Sequence, residues 1–201
     1  VVGSHLDSVE AGPGINDNGS GTAANLELAL AVYNFARSGG NALRKRVRFC
    51  WWGAEEIGLL GSTHYVRALP PAELAHLRAN INLDMVASPN AIYGVYDGAG
   101  ASNAAVRAES ERIQHLLEDA LHRLGVPTRL TAFNDRSDYA AFIEAGVPAG
   151  GLFTGAEEIK SSAERRQFGG VANAAYDPCY HRACDTVDNI DPHALLVNTQ
   201  A

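Results

Sequence analysis

Trp51-Trp52-Gly53-Ala54-Glu55-Glu56 is the stretch on which the reading of this chain turns. The run Val47 to Trp52 is short, apolar apart from Arg48, and rich in aromatic residues, so it reads as a buried strand. Two adjacent carboxylates follow it directly. In open α/β sheets, ligands bind outside the carboxyl ends of the strands, and that is where this pair falls. The competing reading is that Glu55 and Glu56 simply open a helix, whose positive N-terminus favours acidic side chains.

Strand and helix patterns alternate away from this centre. Val1 to Ser4 reads as the end of a buried strand that delivers His5. Gly12 to Gly21 is a turn-rich loop carrying Asp17. Thr22 to Arg37 has Ala23, Leu26, Leu30 and Tyr33 at helical spacing and a glycine stop at Gly39-Gly40. Gly58 to Ala68 is helical in composition, and Ala72 to Leu77 forms a short helix after Pro70-Pro71. Ala79 to Leu83 and Ala91 to Tyr96 lean towards strand. Glu109 to Leu124 is amphipathic, with Ile113, Leu116, Leu117, Ala120, Leu121 and Leu124 at core spacing. Asp138 to Glu144 and Ser161 to Gln167 read as helices, and Gly150 to Phe153 as a strand. The alternation specifies an α/β class, with a mostly parallel sheet between helical layers.

Bulk properties exclude several functions. Of 201 residues, 46% are hydrophobic and 19% charged, the composition of a globular chain with a sizeable core. The net charge of −7 lacks the basic footprint of a nucleic-acid binder, and Arg44-Lys45-Arg46-Val47-Arg48 reads as a solvated edge. No apolar run reaches the length of a membrane span. Cys50 lies in an apolar run and reads as a buried thiol. Cys179 and Cys184 are spaced to close a small disulfide loop, which implies an oxidising compartment. A zinc knuckle is disfavoured, because there are only three cysteines.

The strand ends carry the chemistry. His5, Asp17, Glu55-Glu56, Asp84 and His181 all emerge from loops that a parallel sheet gathers at one edge. Imidazole and carboxylate without thiolate suit zinc or a similar divalent ion. Six such groups exceed the needs of one catalytic ion. Two ions sharing a bridging carboxylate would take five and leave one glutamate to handle protons.

Five ordered motifs make this specific: Gly3-Ser4-His5-Leu6-Asp7-Ser8, Asn16-Asp17-Asn18-Gly19-Ser20-Gly21, Trp52-Gly53-Ala54-Glu55-Glu56, Asn82-Leu83-Asp84-Met85 and Cys179-Tyr180-His181. Together they resemble the co-catalytic di-zinc aminopeptidases, secreted leucine aminopeptidases of the Streptomyces and Vibrio type, and look closest to the Streptomyces type. The resemblance implies a three-layer α/β/α sandwich around a mostly parallel, mixed sheet. It implies a single zinc peptidase catalytic domain over 1–201, apparently truncated at both ends, since the chain starts without Met and stops in a helix-like stretch. It implies two zinc ions: His5 and Asp84 on one, Glu56 and His181 on the other, Asp17 bridging. Glu55 would be the general base, Tyr180 the oxyanion stabiliser, and Asp7 the carboxylate that orients the His5 ring. A cis peptide is expected after Asp17.

Arg136, in the loop Asn134 to Tyr139, is expected on the substrate side. Asp135 replaces the glycine usual before it in the Streptomyces-type pattern. Met85 and Phe153 are expected to wall a pocket for large hydrophobic N-terminal residues, widened by Asp135 towards Lys or Arg. The implied activity is hydrolysis of the N-terminal peptide bond of peptides with a free N-terminus, by a secreted monomer with no nucleic-acid or membrane partner. Related alternatives are a glutaminyl cyclase, a carboxypeptidase and a non-catalytic receptor-like domain. Retention of every metal-ligand position disfavours the last.

Overall fold

The computed structural model describes residues 1–38 and 43–201. The expected glycine stop at Gly39-Gly40 lies outside the described residues.

Among the described residues, six strands form one sheet: β1 (Val2–His5), β2 (Phe49–Trp52), β3 (Asn80–Leu83), β4 (Gly94–Tyr96), β5 (Arg129–Thr131) and β6 (Ala149–Phe153). Their order is β2-β1-β3-β6-β4-β5. All neighbouring pairs are parallel except β4 with β6. The fold is therefore an α/β sandwich with a mostly parallel, mixed sheet.

Among the described residues, seven α-helices flank the sheet: α1 (Gly21–Arg37), α2 (Leu60–Ala68), α3 (Pro71–Leu74), α4 (Arg107–Arg123), α5 (Tyr139–Glu144), α6 (Ser162–Phe168) and α7 (Pro192–Gln200). Side-chain alternation along the strands sorts them into layers. On one face, Val2, Ile81, Leu83, Val95 and Leu152 pack with Ala24 of α1, Leu121 of α4 and Val197 of α7. On the other, Trp52 packs with Val66 of α2 and Phe142 of α5, while Tyr96 and Ala149 meet Tyr139 and Ile143 of α5. The double tryptophan shows the alternation directly. Trp51 Nε1 donates to the Thr22 carbonyl of α1 at 3.3 Å, whereas the Trp52 ring stands 6.0 Å from that of Phe142.

Three expectations are revised. The strand reaches only from Phe49, and Val47 is exposed. On α1, Leu26, Leu30 and Tyr33 face solvent, and the sheet takes Ala24, Asn25 and Leu28 instead. The reason is polar: Asn25 Nδ2 donates to Ser4 Oγ at 3.1 Å and to the Cys50 carbonyl at 2.9 Å, which fixes the rotation of the helix. On α4, Leu116 is exposed and Gln114 is buried, its Oε1 accepting from Gly98 N at 2.9 Å. Cys50 is a free, half-buried thiol at the edge of the Trp52 cluster. The disulfide joins Cys179 to Cys184.

The centre of the sheet is tight at Gly151 of β6. A Cβ there would stand 2.0 Å from the Asn82 carbonyl oxygen of β3, a backbone atom that cannot step aside alone. Gly151→Ala is expected to cost about 1–3 kcal/mol, the usual scale of overpacking, read as a lowered midpoint in denaturant titration with an unchanged m-value.

Candidate active site

The parallel strands β1, β2 and β3 all end on one edge of the sheet, and their last residues hand over to the loops that carry the polar cluster. Neighbouring β1 and β2 run in register His5 with Trp52, so His5 and the Glu55-Glu56 loop emerge side by side. β3 delivers Asp84 one residue past its end. The loop Ile15–Ser20 brings Asp17 across the top, and His181 comes from within the disulfide-closed loop.

Asp17 sits between the two histidines. Its Oδ1 is 3.2 Å from His5 Nε2, and its Oδ2 is 3.1 Å from His181 Nε2. His5 Nε2 also lies 3.5 Å from Asp84 Oδ1 and 3.9 Å from Glu55 Oε2. His181 Nε2 lies 2.9 Å from Glu56 Oε2. Two triples result, His5–Asp17–Asp84 and Asp17–Glu56–His181, each with ligand atoms within 4.8 Å of one another. A third, His5–Glu55–Glu56, meets the same limit. Both His Nε2 atoms and Glu56 Oε1 are buried without a hydrogen-bond partner. Buried polar atoms are normally satisfied, so such a set around the shared Asp17 carboxylate fits divalent cations.

A scaffold of hydrogen bonds aims these groups. His5 Nδ1 lies 3.1 Å from the Asp7 carbonyl oxygen, which accepts its proton and leaves Nε2 with a lone pair for a metal. The Asp7 carboxylate was expected to orient the ring, and its Oδ1 stands 3.6 Å from His5 Nδ1. Its main contacts are elsewhere: Oδ1 accepts from Glu55 N at 3.0 Å and Oδ2 from Glu56 N at 3.2 Å. Asp7 thus ties the β1 loop to the glutamate loop. Ser137 Oγ donates to Asp84 Oδ2 at 2.6 Å and accepts from Asn82 Nδ2 at 2.7 Å. The Asp17–Asn18 peptide is cis, as expected. Asn18 Oδ1 accepts from Met85 N and its Nδ2 donates to the Leu83 carbonyl, joining the Asp17 loop to the Asp84 loop.

Several contributors were not singled out from the sequence. Asp185, just after Cys184, accepts the amide of Asn16 on Oδ1 at 2.8 Å and that of Asp17 on Oδ2 at 3.0 Å. Ser137 and Asp138 lie within the arginine loop that was flagged, next to Arg136. Asp138 is 1% exposed, and neither of its carboxylate oxygens has a hydrogen bond of good geometry. No local sequence signal distinguishes these residues from helix caps and loop polar groups. Ala54, Met85 and His181, all beside the cluster, hold positive φ of 60°, 53° and 56°. Strained non-glycine backbone collects at functional sites.

The pocket beside the cluster is lined by Met85, Tyr96, Phe153 and Ala156, with Arg136 and Glu158. Glu55, Glu56, Asp17, Asp84, Asn134, Ser137 and Tyr180 complete its lining. Asp135 is exposed and lies outside this lining. The Tyr180 ring stacks on the His181 imidazole at 3.8 Å. Arg136 reaches over it, donating to Tyr180 Oη at 3.1 Å and to Glu157 Oε1 at 2.9 Å.

The fold is a mostly parallel α/β sandwich, and the site a convergent acid–imidazole centre. The chain belongs to peptidase family M28, which it matches over residues 1–201. It is 49% identical over 202 residues to leucine aminopeptidase 2 of Trichophyton rubrum, covering 100% of this chain and 40% of that protein. Its backbone is similar to that of BSAP, a zinc aminopeptidase from Bacillus subtilis, with a TM-score of 0.72 and 32% identity over 99% of this chain and 43% of that one. The aminopeptidase from Aneurinibacillus sp. strain AM-1 superposes at a TM-score of 0.71 with 32% identity, over 99% of this chain and 42% of that one. This chain thus spans less than half the length of these relatives.

Crowded carboxylates leave a clear electrostatic mark. Burial, then the Asp84 charge, pushes Glu55 up to about 9. Burial and Asp17 push Glu56 up to about 7. Burial pushes Asp138 up to about 7. Burial lowers His5, but Asp84, Asp17 and Glu55 outweigh it and raise the imidazole to about 12. Burial raises Asp17, and hydrogen bonds from His181 and His5 more than reverse this.

Each raised group holds its proton more tightly folded than unfolded, so its contribution to stability falls as pH rises from the unfolded towards the folded value. Asp17 acts oppositely, but its gain is complete above the ordinary aspartate value of 3.8. For protein stripped of divalent cations by a chelator, the melting temperature is therefore expected to fall between about pH 5 and about pH 9. Adding a divalent cation should raise it more at the upper end than at the lower. Equal stabilisation at both ends would contradict the assignment of the carboxylates to one cation-binding centre.

Proposed function

We propose that this chain is the catalytic unit of a di-zinc aminopeptidase that removes large hydrophobic residues from the free N-terminus of peptides. The observation that carries the reading is Asp17, which turns one carboxylate oxygen to His5 and the other to His181. His5 and Asp84 would hold one ion, Glu56 and His181 the second, and Asp17 both. Two zinc ions, when bound, supply Lewis acidity that lowers the pKa of a water towards about 7 and polarises a carbonyl.

The remaining work belongs to the side chains. Glu55 is buried beside the ligands but lies farther from His5 Nε2, at 3.9 Å, than Asp17 and Asp84 do. It takes the proton of the attacking water and returns it to the leaving amine. Glu55 and Asp84 also face the substrate's α-ammonium, which restricts the enzyme to free N-termini. The oxygen of Tyr180 accepts from Arg136, so its own proton is free to point at the developing oxyanion. A donor of this kind is worth roughly 3–4 kcal/mol in the transition state. Met85, Phe153, Tyr96 and Ala156 provide the apolar walls for the first side chain.

A carboxypeptidase needs a free cation for the terminal carboxylate. Arg136 is the one cationic side chain lining the pocket among the described residues, and it is already engaged by Glu157 and Tyr180. The disulfide supports a secreted protein. Among the described residues no helix is long and apolar enough to cross a membrane. The acting unit is proposed to be a monomer without a nucleic-acid partner.

Metal analysis of the intact protein should find two zinc ions per chain; one would favour a glutaminyl cyclase, and none would sink both readings. Glu55→Gln should retain both ions and lower kcat by about two to four orders of magnitude, the range for a lost general base, whereas Glu56→Ala should lose zinc. The converse pattern would exchange the roles of the two glutamates. In a panel of aminoacyl anilides, Leu and Phe should be cleaved faster than Gly. Equal rates would remove Met85 and Phe153 from the pocket assignment.

A further inference from the structure

We infer that Glu158 is a specificity-determining residue that admits N-terminal lysine and arginine to the pocket alongside the large hydrophobic residues. The inference rests on the aminopeptidase reading and names a second substrate class for the same site.

Glu157 and Glu158 are adjacent acids with different surroundings. Glu157 forms an ion pair with Arg136 at 2.9 Å and lies outside the pocket lining. Glu158 lines the pocket, and among the described residues it makes no ion pair. One of its carboxylate oxygens accepts a 3.3 Å hydrogen bond from Ala156 N. The residue is exposed, so the carboxylate sits at the rim rather than the floor. The apolar part of the same lining is Met85, Tyr96, Phe153 and Ala156. Apolar walls beside an acid that makes no ion pair match a side chain with a hydrocarbon stem and a cationic head. The same acid disfavours N-terminal aspartate and glutamate.

The position is held firmly. The Glu158 carbonyl accepts from Tyr176 N at 3.0 Å, and Lys160 N donates to the Ala174 carbonyl at 2.9 Å. Lys160, 1% exposed, anchors the segment from beneath, its Nζ donating to the Ala91 carbonyl at 2.7 Å and to the Gly169 carbonyl at 3.1 Å. A charge on a fixed backbone discriminates better than one on a loose loop. Asp135, the acid that the sequence offered for this role, lies outside the lining.

The test compares Lys, Arg, Leu and Glu 4-nitroanilides with the full-length, zinc-loaded protein. Glu158→Gln should lower the Lys-to-Leu ratio of kcat/KM by about fivefold, the scale of a rim-exposed ion pair. Glu158→Lys should lower it by more than about tenfold, because like charges then face each other, and should raise the Glu-to-Leu ratio. Ratios unmoved in both variants, or moved instead by Asp135→Asn, would overturn the assignment. Calorimetric titration with the hydroxamates of L-lysine and L-leucine reads the same preference without turnover. If no anilide is cleaved, the aminopeptidase reading fails, and the hydroxamate ratio still decides the role of Glu158.

Discussion

One carboxylate facing two imidazoles is the constraint around which the site is built. Asp17 holds that position through its backbone, since its own side chain is spent on His5 and His181. Asp185 fixes the amide of Asp17 and of the residue before it. Asn18, next in the chain, clasps the loop that carries Asp84. Asp185 itself follows the disulfide whose loop presents Tyr180 and His181. Segments far apart in sequence are thus tied to one aspartate, and the disulfide loop is joined to the sheet edge through it.

The cost of this arrangement is electrostatic. Glu55, Glu56, Asp84, Asp17 and Asp138 share a small, largely buried volume, and like charges at low dielectric repel strongly. The folded chain meets part of the cost by holding protons, hence the upward displacement of Glu55, Glu56 and Asp138. Two imidazoles meet another part. A divalent cation would meet the rest, because it is drawn to the same carboxylates that the bare protein must neutralise. The unpartnered Nε2 atoms of His5 and His181 belong to that account. Arg136, Glu157 and Tyr180 form a separate, self-compensated layer outside it.

Legibility in the sequence varied with the physics of each element. The polar strand ends were readable because a parallel sheet collects the carboxyl ends of its strands on one edge whatever the details of packing. The centre of α4 was readable at Leu117, Ala120 and Leu121, yet Leu116 faces solvent and Gln114 lies inside. There a hydrogen bond to Gly98 N outweighed the apolar pattern. On α1 the apolar residues do not form one stripe, and Asn25, a polar residue, decided which face met the sheet. β5 was missed, since Arg129-Leu130-Thr131 is three residues long and two of them are exposed, which leaves little periodic signal. Asp7 was assigned to the site, but its carboxylate binds the Glu55 and Glu56 amides rather than serving chiefly the His5 ring.

The sequence by itself determined the α/β class, the order of the elements apart from β5, and the identity of the acid and imidazole groups at the strand ends. These follow from local periodicity and from the few side chains able to hold a cation. Only the tertiary structure decided which oxygen of Asp17 meets which histidine, that Ser137 and Asp185 steady the cluster, and that Glu158 rather than Asp135 borders the pocket. Those outcomes depend on distances between segments as far apart as Asp17 and Asp185. Such distances are set by how helices rotate and loops pair over the sheet, and no run of adjacent residues carries that information.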